Sequence, residues 1–245
     1  MCGAAWGQAP VYSAAGIVNA SDYSPGPFAP NSVVSLFGTN LSFAPAPLIA
    51  SLSGNTLQTQ VGGVSVLIDG SPAPLLFVSA GQINFMVPST EIPGNSVVQV
   101  VRQSVAGPAV TISLVNAAPA LFVPSNSSYV LAQDWNNNSA AITPDAPAHS
   151  GDTVVLYATG LGYTQPNPLP GEVAATAANT VAAPQVLLNG AAIDSTLIKY
   201  SGLTPSSTGL YQINFVLPGG FTADAEIRLS AAGQTSAVGL KLAIR

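Results

Sequence analysis

Apolar and polar residues alternate along this chain in short runs that end at glycine or proline. The clearest run, residues 82–88, reads Gln-Ile-Asn-Phe-Met-Val-Pro, and residues 212–218 read Gln-Ile-Asn-Phe-Val-Leu-Pro. Alternation with a period of two sends successive side chains to opposite faces of a β-strand, and proline ends the pairing of that strand. The pattern therefore predicts the same half-buried strand twice.

The segments that precede this strand repeat in the same order. Residues 66–70 (Val-Leu-Ile-Asp-Gly) correspond to 186–190 (Val-Leu-Leu-Asn-Gly), and residues 33–41 correspond to 154–161. Three matching segments in one order indicate a duplicated unit. Each copy of about 120 residues is long enough to bury a core of its own.

The spacing between matching residues changes within the repeat. It is 120 residues between Gly70 and Gly190 and 130 residues between Gln82 and Gln212. The second copy therefore carries ten extra residues between its Asn-Gly turn and its central strand. We expect them to form a loop or an extra hairpin.

The other apolar runs are also short, and turn pairs such as Asp-Gly and Pro-Gly separate them. About seven short strands in each copy predict a β-sandwich, and no segment shows the period of an amphipathic helix. The expected fold class is all-β, with two tandem immunoglobulin-like β-sandwiches. We expect an N-terminal extension at 1–13, one sandwich at 14–116 and a second at 117–245. The connection at 116–119 is too short for a flexible linker, which predicts a restricted arrangement of the two domains.

Charged residues make up only 6% of the chain, against about 25% in ordinary globular proteins. The formal net charge is -5, and the five Lys and Arg residues offer no basic surface for phosphates, so nucleic acid is not expected as a partner. No apolar run approaches the roughly 20 residues of a membrane-spanning helix. The surface is left to small and uncharged polar residues.

The first residues resemble the end of an export signal. Ala5 and Gly7 are small residues at the third and first positions before a cut that would leave Gln8 as the new terminus. We interpret residues 1–7 as the remnant of a signal peptide, with an ordinary flexible terminus as the alternative. The expected location is extracellular or at the cell surface. Cys2 is the only cysteine, so no disulfide within the chain is expected.

Six motifs follow one another in a specific order, at residues 16–20, 37–41, 74–84, 118–122, 157–162 and 209–214. Through them the chain resembles a domain that is abundant in Solibacter and other Acidobacteria, where it forms the C-terminal part of long exported proteins. Each half also resembles an IPT/TIG immunoglobulin-like domain, through Gly-Thr-Asn-Leu in the first and Ala-Thr-Gly-Leu in the second. These resemblances imply an exported β-sandwich protein and imply no activity.

The chain offers few groups for catalysis. His149 is the only histidine and lies in a Pro-Ala-His-Ser-Gly turn, so Cys2 has no other base to activate it and no nucleophilic site is predicted. A glycosidase needs only two carboxylates at a suitable distance. The pairs considered are Asp134 with Asp145 and Asp152 with Glu172, although turn and cap roles are the commoner explanation. We expect no enzyme activity and no cofactor.

One loop partly matches a calcium-binding pattern. Side chains with oxygen atoms stand at its positions 1, 3, 5 and 12, which are Asp134, Asn136, Asn138 and Asp145. Ser139 replaces the glycine that the pattern needs, and Pro144 precedes the last ligand. A plain polar loop is therefore the main interpretation, and these four residues are weak calcium candidates. Trp135 in the same loop is either a platform for sugar stacking or a lid over the sandwich edge.

Alternation assigns five aromatic residues of the repeated strands to the core, namely Phe37, Phe85, Tyr157, Tyr211 and Phe215. Asn84 and Asn214 should face away from the core. Because they are equivalent in the two copies, we expect them to make a structural hydrogen bond.

Two functions remain open. The first is a structural module of the cell surface or extracellular matrix that associates with copies of itself, because a neutral surface with few lysines protects sheet edges poorly. Residues 8–20 would then add as a strand to a neighbour's sheet, with pairing inside their own domain as the alternative. The second is a binding module for polysaccharide or another surface partner. An exposed aromatic platform or bound calcium would favour the second.

Overall fold

The computed structural model describes residues 8–245. Cys2 and the predicted signal remnant at 1–7 lie outside the described residues. Within residues 8–245, no helix is both long enough and apolar enough to cross a membrane.

The chain is built almost entirely from β-strands. Those of the first half are β1 (Val11–Asn19), β2 (Val33–Thr39), β3 (Leu48–Ile49), β4 (Leu52–Ser53), β5 (Thr56–Leu57), β6 (Val64–Ile68), β7 (Ser71–Pro72), β8 (Leu75–Val78), β9 (Gln82–Met86), β10 (Gly94–Arg102), β11 (Val105–Ala106) and β12 (Val110–Leu114). Those of the second half are β13 (Ala120–Leu121), β14 (Ala132–Asp134), β15 (Ala140–Ala141), β16 (Thr153–Thr159), β17 (Thr164–Gln165), β18 (Ala178–Thr180), β19 (Gln185–Leu188), β20 (Ala191–Ala192), β21 (Ile198–Leu203), β22 (Tyr211–Val216), β23 (Ala225–Ala231), β24 (Gln234–Thr235) and β25 (Lys241–Leu242). Two short 3-10 helices cover Trp135–Asn137 and Ser195–Leu197.

Each half forms two main antiparallel sheets, and β4 and β5 of the first half form a separate two-stranded hairpin. The first half has one sheet in the order β1-β2-β9-β8-β3 and another in the order β11-β10-β6-β7, with β12 also paired to β10. The second half has β15-β14-β16-β22-β21-β18-β17, with β13 on β16, and a smaller sheet β20-β19-β23-β24, with β25 on β23. The predicted fold class, two tandem immunoglobulin-like β-sandwiches, is confirmed.

The duplication extends to the strand register. Leu36 pairs with Ile83 between β2 and β9, and Leu156 pairs with Ile213 between β16 and β22. The strands β8 and β21 also carry a register shift at the same position. Such a bulge bends a strand and sets which side chains face outward after it. The two copies therefore present equivalent residues on equivalent faces.

The turns between β6 and β7 and between β19 and β20 are equivalent as well. Asp69 and Asn189 have positive φ angles of 48° and 49°, and the glycine after each also has a positive φ. Such two-residue hairpin turns favour Asp or Asn followed by Gly. The Asp69 side chain accepts a hydrogen bond from Val97 N at 2.7 Å, and the Asn189 side chain accepts one from Glu226 N at 2.9 Å.

The ten extra residues of the second copy lie within β21 and on both sides of it, and they form no extra hairpin. Matching residues are 120 apart at the preceding turn, 123 apart at the start of β8 and β21, and 130 apart at the glutamines. Three extra residues therefore precede β21, where the helix Ser195–Leu197 lies. Of the other seven, two lengthen β21, four enlarge the loop 204–210 and one extends the start of β22. This loop reaches the first sandwich, because a Cβ atom on Gly209 would lie 2.9 Å from Met86 Cε.

Each half has its own apolar core. One core contains buried residues between positions 12 and 114, the other contains buried residues between 117 and 244, and they share no residue. Phe85, Tyr211 and Phe215 are fully buried in these cores, as expected. The boundaries of the domains given above stay predictions.

The assignment of Phe37 and Tyr157 to the core is wrong. Leu36 and Leu156 are fully buried, and each aromatic residue follows one of these leucines in its strand. Successive side chains of a strand point to opposite faces, so both rings stand on the outer face of their sheet. The exposed fraction of Phe37 is 39%.

The segment that was a candidate for strand exchange pairs within its own domain. Residues Val11–Asn19 form β1, which lies antiparallel to β2 in two stretches separated by a register irregularity between Tyr12 and Ile17. Tyr12 fixes the first stretch, because its hydroxyl accepts a hydrogen bond from Val100 N at 2.8 Å. Of the two arrangements considered, the structure shows pairing within the domain and not addition to a neighbour's sheet.

Hydrogen bonds donated by backbone N–H groups of the first sandwich join it to the second. Val33 N donates to Thr159 Oγ1 at 2.8 Å, and Leu57 N donates to Gly171 O at 2.9 Å. These contacts come from the end of β16 and the segment that follows it. These contacts add to the covalent connection, and the restricted arrangement of the two domains stays a prediction.

Candidate functional site

The outer face of the sheet that contains β2 and β9 carries alternating rings and amides. Residues directly opposite each other in antiparallel strands lie on the same face. Phe37 is opposite Gln82, and Phe77 is opposite Asn84. Two phenyl rings therefore flank two side-chain amides on one outward surface.

Hydrogen bonds orient the two amides. Gln82 Nε2 donates to Asn84 Oδ1 at 2.8 Å, and Ser35 Oγ donates to the same oxygen at 2.9 Å. The structural hydrogen bond expected for Asn84 is confirmed. Within the described part of the chain, Gln82 Oε1 and Asn84 Nδ2 take part in no hydrogen bond, so one carbonyl oxygen and one NH2 group remain unpaired.

Tyr23 adds a third ring beside this row. Its ring centroid lies 5.9 Å from that of Phe37, with the planes inclined by 59°. The exposed fraction of Tyr23 is 61%, and the turn holds it through a hydrogen bond from Tyr23 N to Asn19 O at 3.0 Å. We call Tyr23, Phe37, Phe77, Gln82 and Asn84 the aromatic-amide face.

The second copy repeats this arrangement with tyrosines. Tyr157 is opposite Gln212, and Tyr200 is opposite Asn214. Gln212 Nε2 donates to Asn214 Oδ1 at 3.1 Å, so the expected hydrogen bond is present in both copies.

The tyrosines of the second copy are engaged by the protein itself. Tyr157 Oη donates to Gln133 Oε1 at 2.7 Å, and Tyr200 Oη donates to Leu203 O at 2.6 Å. Burial raises the pKa of both phenols. The corresponding rings of the first copy, Phe37 and Phe77, have no hydroxyl group and make no such hydrogen bond. The exposed ring of Tyr23 lies beside Phe37 only in the first copy.

Residues 20–115 match the IPT/TIG domain family. The matched segment covers the strands of the first sandwich from β2 to β12 and the turn that carries Tyr23. The resemblance of the first half to an IPT/TIG domain is thus supported. The attribution to the Solibacter domain receives no support from the comparisons, which returned no match among curated proteins.

Several solved structures are similar to this chain. The mixed-linkage glucan utilization locus protein SGBP-B of Bacteroides ovatus, in complex with a heptasaccharide, is 11% identical with a TM-score of 0.36, covering 97% of this chain and 46% of that one. The surface glycan-binding protein PbSGBP-B of Prevotella bryantii is 15% identical with a TM-score of 0.28, covering 94% of this chain and 41% of that one. Murine CEACAM1b is 14% identical with a TM-score of 0.23, covering 89% and 95%. The chain spans less than half the length of the two bacterial proteins.

The calcium candidates lie around a 3-10 helix beyond the IPT/TIG match. Asp134 Oδ1 accepts a hydrogen bond from Asn136 N at 2.9 Å, and Asn136 Oδ1 accepts one from Thr153 N at 2.7 Å. Asn138 ends the helix in the left-handed conformation, with a φ of 50°. Two of the four candidate residues thus cap backbone amides. Calcium at this loop stays a prediction.

The carboxylate pairs considered for catalysis also serve local structure. Asp134 and Asp145 line one cleft of about 280 Å³ together with His149. Asp152 Oδ2 accepts a hydrogen bond from His149 N at 2.6 Å, and Glu172 Oε2 accepts one from Leu169 N at 3.0 Å, as in capped turns. Among residues 8–245, no three His, Cys, Asp or Glu side chains are grouped to hold a metal ion.

The aromatic-amide face was missed by the sequence reasoning. The signal for it was present, because Phe37 directly follows Leu36 in an alternating strand, and only one of the two can enter the core. Trp135, considered as a sugar platform, is 64% exposed on its loop and lies in the other sandwich.

Proposed function

We propose that this chain is a non-enzymatic module that binds neutral polysaccharide through the aromatic-amide face of its first sandwich. The observation that carries the proposal is the row in which Phe37 and Phe77 flank the amides of Gln82 and Asn84, with Tyr23 exposed beside Phe37. Of the two functions open from the sequence, the geometry supports binding better than self-association.

The chemistry of this face suits a sugar. A pyranose ring presents C–H groups on its faces and hydroxyl groups around its edge, so it packs on aromatic rings and exchanges hydrogen bonds with amides. Aromatic side chains provide apolar contact area with few rotatable bonds. The amides of Gln82 and Asn84 offer both a free acceptor and a free donor, which matches hydroxyl groups that act as both.

The charge of the chain favours a neutral polymer over an acidic one. The net charge is -5, with ten acidic and five basic residues. A polysaccharide that carries carboxylates or sulfates would meet repulsion from such a surface. An extracellular or cell-surface location, expected from the N-terminal sequence, belongs to the same proposal.

The test compares exposed rings on and off the face. Soluble neutral glucans and mannans are titrated into the full chain by isothermal calorimetry, alongside the variants Tyr23→Ala and Phe37→Ala. We expect each variant to lose about tenfold in affinity, as for truncation of an aromatic anchor. Trp135→Ala removes a ring that is as exposed as Tyr23 and should leave the affinity unchanged. Binding that depends on Trp135 and not on Tyr23 would contradict this surface.

Self-association remains the second candidate, because β1 is an edge strand of its sheet. Residues Val11–Asn19 contain no lysine, which is the usual protection of such an edge. Since β1 is already paired with β2, a neighbour would add to its free edge. Sedimentation velocity of the full chain over a range of concentrations tests this, and a monomer throughout would remove the candidate.

A further inference from the structure

The end of β1 and the turn that follows it contain three buried oxygen atoms without a hydrogen-bond partner. Asn19 Oδ1, Ser21 Oγ and Asp22 Oδ2 are closed to solvent and make no hydrogen bond within the described residues. The side chains of Asn19 and Ser21 are 3% and 4% exposed. Native proteins leave few buried polar atoms unpaired, and each such atom requires an explanation. Three such atoms within four residues of one turn call for a common explanation.

The orientation of the Asn19 amide follows from counting protons. Ser24 has one hydroxyl proton, and it is donated to Asp22 Oδ1 at 2.6 Å because a carboxylate can only accept. The Asn19 amide must therefore present its N–H to Ser24 Oγ, as it does at 3.1 Å. Asn19 Oδ1 then faces the other way and lacks a donor. Rotating the amide would only leave its N–H groups unpaired instead.

The Asp22 carboxylate is hydrogen-bonded through only one of its oxygens, because Oδ1 accepts from Ser24 N at 2.9 Å and from Ser24 Oγ at 2.6 Å. Within the described part of the chain, the only ion pair is that between His149 and Asp152. Asp22 thus has a carboxylate oxygen that is buried and has neither a hydrogen-bond donor nor a cationic side chain. Burying an unpaired charge is costly, and a bound cation removes that cost. Asn19 and Ser24 also line a cleft of about 230 Å³ between the two sandwiches.

We propose that this turn binds one calcium ion through Asn19 Oδ1, Ser21 Oγ and Asp22 Oδ2. All three are hard oxygen ligands, which calcium prefers, and calcium accepts backbone carbonyl groups and water for its remaining positions. A site with a single carboxylate belongs to the weak class, with a dissociation constant of about 0.1 to 1 mM, as in extracellular modules.

The site lies apart from the calcium-like loop at 134–145, and it stands without the glycan-binding proposal. It also accounts for the conformation of the turn. Tyr23, which follows Asp22 directly, has a positive φ of 58°, a strained value for a residue with a large side chain. An ion bound by Asp22, the residue directly before Tyr23, would help to hold Tyr23 in this conformation.

The experiment measures thermal unfolding of the full chain in 10 mM CaCl2 and in EDTA at constant ionic strength. We expect calcium to raise Tm by about 3 to 10 °C, which follows from mass action at this affinity. Asp22→Asn keeps the acceptor for Ser24 and removes the charge, so it should abolish the rise. Asp134→Asn is the matched control, because Asp134 caps a turn in the same way as Asp22 and belongs to the other calcium candidate. It should keep the full rise.

A second variant and a direct measurement complete the test. Ser21→Ala removes one ligand without touching the Asp22 turn, and it should weaken calcium binding about tenfold in isothermal calorimetry, where the parent chain binds one ion. An unchanged Tm of the parent chain in calcium would overturn the proposal and indicate that water alone satisfies the three oxygens. A calcium response that survives in Asp22→Asn and disappears in Asp134→Asn would overturn it in favour of the other loop.

Discussion

Phe37 lies directly opposite Gln82 across β2 and β9, and both side chains stand on the outer face of the first sandwich. Tyr157 and Gln212 hold the same relation in the second sandwich. The two copies share the geometry of this pair but differ in the ring, which is a phenyl in the first and a phenol in the second, and the phenol hydroxyl donates a hydrogen bond to Gln133. The ring of Phe37 is therefore exposed on its sheet, whereas the ring of Tyr157 is held by a hydrogen bond within the protein.

Equivalent turns should respond equally to substitution. Gly70 and Gly190 have φ angles of 84° and 81°, with open space around the position of an added Cβ. Gly70→Ala and Gly190→Ala should each lower the free energy of unfolding by about 1 kcal/mol, because only the left-handed backbone opposes the side chain. Urea denaturation measures this. Gly81→Ala is the control, since Gly81 is not in that conformation and its nearest contact would be at 3.8 Å. Markedly unequal losses at the two turns would contradict their equivalence.

The contact between the sandwiches should contribute to stability. Thr159 is fully buried and its Oγ1 accepts the hydrogen bond from Val33 N. Thr159→Val would leave that N–H without an acceptor and should cost about 1 to 3 kcal/mol in urea denaturation. Thr111→Val replaces an exposed threonine of β12 and should change stability by less than about 0.5 kcal/mol. Similar losses of stability in the two variants would show that the hydrogen bond between the sandwiches makes no specific contribution to stability.

Stability should fall at high pH rather than in the neutral range. Burial raises the pKa of Tyr12 and of Tyr211 above the ordinary value of 10.0. The folded state thus holds these protons more tightly, and its stability is complete below pH 10. As pH rises from 10 towards the folded pKa values, each buried phenol should cost about 1.4 kcal/mol for every pH unit.

Two phenylalanine variants test the source of this loss. Tyr211→Phe removes one of the buried groups, together with its hydrogen bond to Gly162 O. We expect the variant to be less stable at pH 8 but to lose stability less steeply above pH 10. Tyr23→Phe changes an exposed ring and should leave the slope unaltered. Identical slopes in all three proteins, measured by urea midpoints from pH 8 to 11.5, would refute the assignment.

Much of the fold followed from local pattern. The duplication, the central strands and the Asp-Gly and Asn-Gly turns were all predicted, because strand alternation and left-handed turns depend on neighbouring residues in the chain. The same alternation decided that Asn84 and Asn214 face away from the core. The prediction for Phe37 and Tyr157 was wrong because it followed the general preference of aromatic residues for the core. Alternation with the buried leucine before each of them predicts the outer face instead.

The sequence by itself determined that two similar β-sandwiches form, with a nearly uncharged surface, since period, turn residues and composition are properties of short stretches. Only the tertiary structure decided where the ten extra residues go, and that the loop after β21 reaches the other sandwich. It also decided that Phe77 lies beside Asn84 and that Tyr23 lies beside Phe37. These neighbours come from separate segments, and their distances depend on strand register and bulges, which no single segment encodes. The tertiary structure also decided that oxygen atoms of Asn19, Ser21 and Asp22 are buried away from water without a hydrogen-bond partner.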